Sequence, residues 1–579
     1  MIKIQNIMNA LLKIQLFAPQ FNDAENHGII DSKTISILSF RGMQQGRIHA
    51  PNLEGKMAGF YLNPSVKGFS EALNSEIYVD KSEIIAYTNK VVDTKQKYIC
   101  VSRPRRFGKT MTAEMLAAYY SREYDTAVMF DNLKIAESPK YKVHLNKYNV
   151  IFLNMQTFLS DAADIGGMIS DIKGKILGEI TKAYSDLIKD PSPKDLMDIL
   201  LKIFLETKIS FIFIIDEWDC IFREYKTDKI SQNIYLDFLR NLLKDRYYVS
   251  LAYMTGILPI KKYGTHSALN MFSEFSMTSP GPLAEFIGFT REEVVDLCNR
   301  YQMDYDEMAE WYDGYSFLKI KTIYNPKSVV GALLNGYYDN YWNKTETYEA
   351  LSIYFKINFK GLKDTIIQLL ADEKKRVDIR GFTNDMITFG TYDDILTLLI
   401  HLGYLGYDFV TREVFIPNKE ISDEFVTAIR DVGWDEIITA LRASDDLLKA
   451  TWSGDAQAVA KAVEQAHYET SIIKYNDENA LSNVLSIAYY SARQYYTIVR
   501  EMPAGKGFAD LVFLPRRKHM DKPAMIIELK WDKSAAGAIR QIKDKQYSEI
   551  IQDYKENALL IAINYDKDSK HHECIIEKY

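Results

Sequence analysis

Short apolar runs mark the first half of the chain: Tyr98-Ile99-Cys100-Val101, Phe211-Ile212-Phe213-Ile214-Ile215 and Val249 to Met254, the last interrupted only by Ser250. A strand buried on both faces, as in a parallel sheet, reads this way. The first run is followed by a polar loop and by an apolar-periodic segment, Met111 to Tyr120, which predicts a helix. Thr290 to Tyr301 and Tyr305 to Tyr312 predict short helices. Asp393 to Leu402 predicts an apolar helix, with strands Tyr404 to Phe409 and Glu413 to Ile416 flanking a Thr-Arg turn. Leu441 to Thr470 reads as a helical linker. Near the C-terminus the period changes to two: Phe508 to Leu514 alternates, and Ala524 to Leu529 forms a second strand. Helices are predicted on either side, Asn476 to Tyr490 and Ala535 to Tyr547. The fold class is therefore α/β and multidomain.

The loop after the first run is Ser102-Arg103-Pro104-Arg105-Arg106-Phe107-Gly108-Lys109-Thr110. A strand, a tight loop with Gly-Lys-Thr and a helix together hold a polyphosphate. Backbone N–H groups and the positive end of the helix face the phosphates, Lys109 meets the β and γ oxygens, and Thr110 ligates Mg²⁺. A Walker A loop has Gly five positions before Gly108, where this chain has Arg103. The second run ends in Asp216-Glu217, the shape of a Walker B element: Asp216 holds Mg²⁺ and Glu217 polarises the attacking water. A core strand ending in a solvated acidic turn gives the same letters. No Asn-Lys-x-Asp stretch that would read guanine is present, so ATP is the expected nucleotide. The third run ends at Thr255-Gly256, and Thr255 is a candidate γ-phosphate sensor.

A different chemistry is written at the far end. Period-two geometry places Glu528 and Lys530 of Glu528-Leu529-Lys530 on one face of their strand. Hairpin pairing with the strand before it brings Asp510 to the same point. Two carboxylates and an ammonium are the constellation of a PD-(D/E)xK nuclease: Asp510 and Glu528 hold Mg²⁺, and Lys530 positions or deprotonates water. A charged surface hairpin is the bland alternative. Glu478 is a further candidate ligand on the preceding helix, and Gln541 and Tyr547 lie on the following one. Ala509 stands where the motif's name has Pro.

Several stretches taken together, Tyr78-Val79-Asp80-Lys81, Arg103 to Thr110, Ile215-Asp216-Glu217-Trp218-Asp219, Trp311-Tyr312-Asp313-Gly314-Tyr315 and Tyr324-Asn325-Pro326, resemble bacterial AAA-ATPase-like proteins fused to a C-terminal PD-(D/E)xK nuclease domain. The resemblance covers residues 57–579, and its Arg-Pro-Arg-Arg-Phe-Gly-Lys loop accommodates Arg103. It implies an AAA-like P-loop domain over 57–290, a helical lid over 291–350, a winged-helix-like module over 351–440, and linker helices with the nuclease-like domain over 441–579. Residues 1–56 lie outside it and read as an N-terminal extension. The implied activity is ATP hydrolysis controlling metal-dependent cleavage of DNA or RNA, with ATP and Mg²⁺ as cofactors and a role in mobile-element conflict or defence. The competing reading is an ATP-dependent switch or scaffold that binds nucleic acid or protein without cleaving. Arg223 and Arg246 are the candidates for an arginine finger. The helix Ile395 to Ile400 carries no Arg or Lys, so it is expected to pack on the ATPase core rather than on DNA.

Composition adds limits. At 579 residues the chain is too long for one core and calls for about three or four domains. A net charge of −7 argues against whole-surface attraction to nucleic acid. Local basic patches must then meet it, and the candidates are Arg516-Arg517-Lys518-His519 with Lys522, and Lys261-Lys262. The 39 Tyr residues suit stacking or protein contacts. Cys100, Cys220, Cys298 and Cys574 have no ligand or disulfide spacing and read as free thiols of a reducing cytoplasm. No segment reaches the ~18 uninterrupted apolar residues of a membrane span.

Overall fold

In the computed structural model of the chain the described residues run from 59 to 579, apart from 189–194, 261–268, 343–347, 358, 384–385, 388, 470–477, 505–506, 517–518, 545–553, 555 and 570. The extension over 1–56, the Lys261-Lys262 pair, Arg517, Lys518 and Tyr547 lie outside the described residues.

The three apolar runs become strands of one parallel sheet. β1 (Tyr98–Ser102), β2 (Asn149–Asn154), β3 (Phe211–Asp216), β4 (Val249–Gly256) and β5 (Ser273–Phe275) stand in the order β2-β3-β4-β1-β5. All neighbours are parallel. Strands β1, β3 and β4 are buried at every position, as their mainly apolar sequences imply. Between β1 and the helix Lys109–Tyr120 the chain turns through two left-handed residues, Arg106 at φ 69° and Gly108 at φ 91°. A Cβ on Gly108 would meet nothing within 4 Å, so the backbone angle, and not lack of room, asks for glycine there.

The lid follows. Helices Arg291–Tyr301, Tyr305–Tyr312 and Pro326–Asn335 close a small core with the three-stranded sheet of β6 (Phe289–Thr290), β7 (Tyr315–Phe317) and β8 (Ile320–Tyr324). Thr290 and Glu293 form a reciprocal capping box that starts the first of these helices.

The helix-then-hairpin module has the helix Tyr392–Leu402 and a sheet of β9 (Lys375–Arg376), β10 (Gly406–Asp408) and β11 (Glu413–Phe415). Strand β10 starts later than the alternation suggested. Gly403 is the left-handed C-cap, and the Tyr404 and Leu405 N–H groups donate to the Leu399 carbonyl, so both residues belong to the helix end. Ile395, Leu396, Leu398, Leu399 and Ile400 are fully buried, and Gly403 lies against Pro104 of the phosphate loop, where a Cβ would sit 2.8 Å from the proline ring. The helix packs on the ATPase core, as its lack of basic side chains implied.

The C-terminal sheet has the order β12-β13-β14-β15-β16, with β12 (Tyr496–Ala504), β13 (Gly507–Pro515), β14 (Ala524–Trp531), β15 (Ala558–Asp566) and β16 (His571–Lys578). Only β14 and β15 are parallel. The crossover between them carries the helix Ala535–Asp544, which buries Ala535, Ala538, Ile539 and Ile542 on Val512, Ile526 and Leu560. The opposite face (Leu511, Phe513, Ile527, Leu529, Ile561, Ile563) is covered by Leu447, Leu448, Val459 and Val463 together with Leu481, Val484 and Leu485. Those residues lie on the helices Asp435–Ser453, Ala456–Glu469 and Glu478–Ala488. The first two were expected as a linker and are instead half of this domain's core, because their apolar stripes supply the layer that one sheet face lacks.

Tyrosine is used internally. Of the twelve largest fully buried side chains among the described residues ten are Tyr. Several of their hydroxyls reach carbonyls, as Tyr235 does at Trp218 and Tyr315 at Gly403, which satisfies the polar tip of those rings. Surface stacking therefore does not account for the high Tyr content. Cys100, Cys220, Cys298 and Cys574 are free thiols, and no described helix is long and apolar enough to cross a membrane.

Candidate nucleotide site and candidate nuclease site

A cleft of about 1450 Å³ opens at the C-terminal ends of β1 and β3, lined by Arg105, Arg106, Phe107, Gly108, Lys109 and Thr110 of the loop and by Glu217 and Arg223. Ile77, Tyr78, Val79, Phe289 and Val330 form its apolar end. Lys109 is 5% exposed and donates to the Pro104 carbonyl at 2.9 Å. Burial lowers its pKa, opposed by Glu217, Asp216 and Asp219. Thr110 Oγ1 donates to Asp216 Oδ2 at 2.8 Å, so the hydroxyl and carboxylate expected at Mg²⁺ already face each other. A hydroxyl beside a carboxylate, with an ammonium one residue away, is a donor set that fits a Mg²⁺–polyphosphate.

Three sequence expectations change here. Arg103 does not line the cleft. It is fully buried, donates to the Ser102 and Phe275 carbonyls at 3.0 Å, and lies 4.8 Å from the Phe317 ring. It braces the loop from behind, where a glycine would leave a void. Pro104 also faces away from the cleft and offers only its carbonyl. Thr255 is fully buried and donates to Asp216 Oδ1 at 2.9 Å, so it orients the Asp216 carboxylate and does not reach the cleft.

Glu217 has φ 54°, a left-handed angle that costs a non-glycine residue about 1 kcal/mol or more. Its carboxylate pairs with Arg223 on the short helix Cys220–Glu224. Burial pushes the Glu217 carboxyl upward, with Lys109 and Arg223 pulling it down. Arg223 also stands 3.5 Å from Asp219, whose Oδ2 accepts from the Ile257 and Leu258 N–H groups. Arg223 thus belongs to its own chain's site. Arg246 is half-buried, outside the cleft, and donates to the Asn241 carbonyl. Glu420 was not foreseen. Its Oε1 accepts from the Tyr341 and Trp342 N–H groups at 2.7 Å, and the carbonyls of the same two residues accept from Arg106 of the phosphate loop.

In the C-terminal domain Asp510, Glu528 and Lys530 share the sheet face covered by Ala535–Asp544. The ladder of β13 and β14 runs from Phe513↔Met525 to Leu511↔Ile527. Beyond it the Leu529 N–H donates to the Asp510 side chain at 2.6 Å. This side-chain bond brings Asp510 alongside Glu528. Lys530 Nζ donates to Glu528 Oε1 at 2.9 Å and to the Leu529 carbonyl at 2.8 Å, and Gln541 donates to Glu528 Oε1. Glu528 is 1% and Lys530 8% exposed. Two carboxylates suit Mg²⁺, which keeps several waters. Among the described residues no group of three or more His, Cys, Asp and Glu is placed to hold a metal ion. The Glu478 side chain lies outside the described residues. The helix it begins packs Leu481, Val484 and Leu485 on the other face of the sheet. Of the basic patch's described members, Arg516 pairs with Glu310, and Lys522 stands 3.0 Å from Asp521 and over the Trp452 ring.

Comparison with known proteins parallels these two sites. Residues 65–265 match the family described as predicted AAA-ATPase, and residues 477–574 match the PD-(D/E)XK nuclease superfamily. An uncharacterized protein in the vnfD 5′ region of Azotobacter chroococcum mcd 1 is 24% identical over 527 residues, 85% of this chain and 93% of that protein. The Walker-type ATPase PABY2304 of Pyrococcus abyssi is 13% identical, with a TM-score of 0.31 over 60% of this chain and 94% of that one. The Aeropyrum pernix ORC2 protein in ADPNP–ADP complexes is 12% identical, with a TM-score of 0.26 over 63% and 97%. The chain joins a predicted AAA-ATPase domain to a C-terminal PD-(D/E)XK nuclease superfamily domain.

Proposed function

We propose that the chain binds and hydrolyses ATP in the β1–β3 cleft and cleaves DNA or RNA at Asp510, Glu528 and Lys530, with nucleotide state controlling cleavage. The observation that carries this reading is the convergence of two carboxylates, an ammonium and the Gln541 amide on one sheet face.

At the nucleotide, Gly108 and the N-terminus of Lys109–Tyr120 present N–H groups to phosphate oxygens, and Lys109 exchanges the Pro104 carbonyl for a phosphate. Thr110 and Asp216 would hold Mg²⁺, which when bound neutralises phosphate charge. Thr255 keeps Asp216 turned toward Thr110. Glu217 orients the attacking water. At the nuclease site Asp510 and Glu528 would hold Mg²⁺, which polarises the scissile phosphate when bound. Lys530, steadied by Glu528 and the Leu529 carbonyl, places a cation where charge develops on that phosphate. Direct contacts support control between the sites. Arg516 pairs with Glu310 of the lid, the Tyr490 and Ser422 hydroxyls lie 2.9 Å apart, and Arg493 pairs with Asp372.

The test is incubation of the purified protein with plasmid, single-stranded DNA and RNA, with and without Mg²⁺ and ATP. Mg²⁺-dependent cleavage that responds to ATP is the expected result. No cleavage of any substrate, with Mg²⁺ or Mn²⁺ present, rejects the nuclease and leaves the binding-only switch.

A further inference from the structure

Arg223 is the feature of the nucleotide cleft that no motif accounts for. It lines the cleft wall, and its guanidinium stands between two carboxylates. One N–H group meets Glu217, while the Nε side lies 3.5 Å from Asp219. Asp219 is fixed in turn, fully buried and accepting the Ile257 and Leu258 N–H groups at 3.0 and 2.8 Å. The guanidinium therefore hangs between a rigid carboxylate anchored to the end of β4 and the carboxylate that would orient water.

Glu217 needs such a tether. It sits one residue past the end of β3 in a left-handed conformation. Its side chain leaves the backbone in a direction that ordinary strand continuation would not give. Nothing on its own turn holds the carboxylate in place. The Cys220 N–H bonds to the Glu217 backbone carbonyl, not to its side chain. Lys109, the other cation near Glu217, has the phosphates as its partner once nucleotide is bound. Arg223 is then the cation left to fix the carboxylate, and its planar fork fixes direction as well as distance.

From this geometry we infer that Arg223 is a positioning residue for hydrolysis: anchored on Asp219, it holds the Glu217 carboxylate at the angle from which it orients the attacking water. The inference rests on the ATPase reading given above. It assigns Arg223 no contact with the phosphates, and so no share in nucleotide affinity.

The experiment measures ATP hydrolysis and, separately, binding of a fluorescent ATP analogue by full-length wild type, Arg223→Gln, Arg223→Lys, Glu217→Gln and the Arg223→Gln/Glu217→Gln double variant. Arg223→Gln should lower kcat by about 10- to 100-fold, within the span of a misplaced general base, and leave nucleotide affinity within about twofold because Lys109 and the loop N–H groups are intact. Arg223→Lys should recover part of the rate, a point charge restoring attraction without the fork. The double variant should be no slower than Glu217→Gln, because Arg223 acts only through that carboxylate. Losses that multiply in the double variant would overturn the inference and place Arg223 on the phosphates. Unchanged or faster hydrolysis by Arg223→Gln would also overturn it, as would lost nucleotide binding. Wild type that binds the analogue but hydrolyses no ATP would sink the ATPase reading itself, and this inference with it.

Discussion

Glu420 ties the phosphate loop to the module that precedes the nuclease domain, and its ionisation should be visible in stability. The side chain is 1% exposed, with Oε1 accepting the Tyr341 and Trp342 N–H groups and Oε2 the Ser328 hydroxyl. Burial pushes its carboxyl from an ordinary 4.5 up to about 7, against the pull of those three donors. A carboxyl raised in the folded state favours folding in its protonated form. Its contribution is fully present below pH 4.5 and is lost as pH rises through 7. At about 1.4 kcal/mol per pH unit, the loss is about 3 kcal/mol by pH 8.5. Glu420→Gln keeps an acceptor for both N–H groups, and the Ser328 hydroxyl turns to accept from the new amide. The variant should lack this component. Thermal melts of wild type and Glu420→Gln from pH 5 to 8.5 should show the wild type falling relative to the variant with increasing pH. Asp313, raised to about 6 mainly by burial, titrates alike in both proteins and cancels in the difference. Parallel pH profiles for the two proteins would refute the reasoning.

Other outcomes follow from the same contacts. Asp510→Ala and Glu528→Ala should each abolish metal-dependent cleavage, and Lys530→Ala should remove most turnover while sparing metal binding, read by gel assay and Mn²⁺ titration. Gly403→Ala demands a Cβ at φ 88° and 2.8 Å from Pro104; about 2 kcal/mol or more of lost stability and weaker ATP binding should show in melts and in titration with the analogue. Glu179 accepts the Phe60, Tyr61 and Leu62 N–H groups at 2.7 to 2.9 Å, so Glu179→Ala should lose about 2 kcal/mol by denaturant titration. Lys109→Ala should bind the analogue more weakly and, if nucleotide controls cleavage, cut nucleic acid at a changed rate with the nuclease residues intact.

Strands β1, β3 and β4 were legible because burial on both faces keeps their runs apolar, Ser250 apart; the shared face of Glu528 and Lys530 follows from a period of two, whereas Asp510 depended on which strand pairs beside them. What escaped depends on distant partners. Arg103 and Thr255 carry the letters of phosphate contacts, yet they turn inward because the Phe275 carbonyl and the Asp216 carboxylate await them there. Glu420 carries no motif, and only the fold shows that it accepts from Tyr341 and Trp342. The stripes of Asp435–Ser453 and Ala456–Glu469 say that those helices bury one side, but not on which sheet. Arg223 had no signal beyond its distance of six residues from Glu217.

The helices before residue 477 bear on how this chain can be cut. Leu447, Leu448, Val459 and Val463 cover the same side of the sheet as Leu481 and Val484. A fragment taken at the nuclease boundary of 477 would therefore carry Asp510, Glu528 and Lys530 but leave part of that apolar face uncovered, a surface that associates with itself. A recombination event that moved only that stretch would deliver the same defective piece. The smallest portion that can travel, whether by cloning or by descent, begins near Asp435.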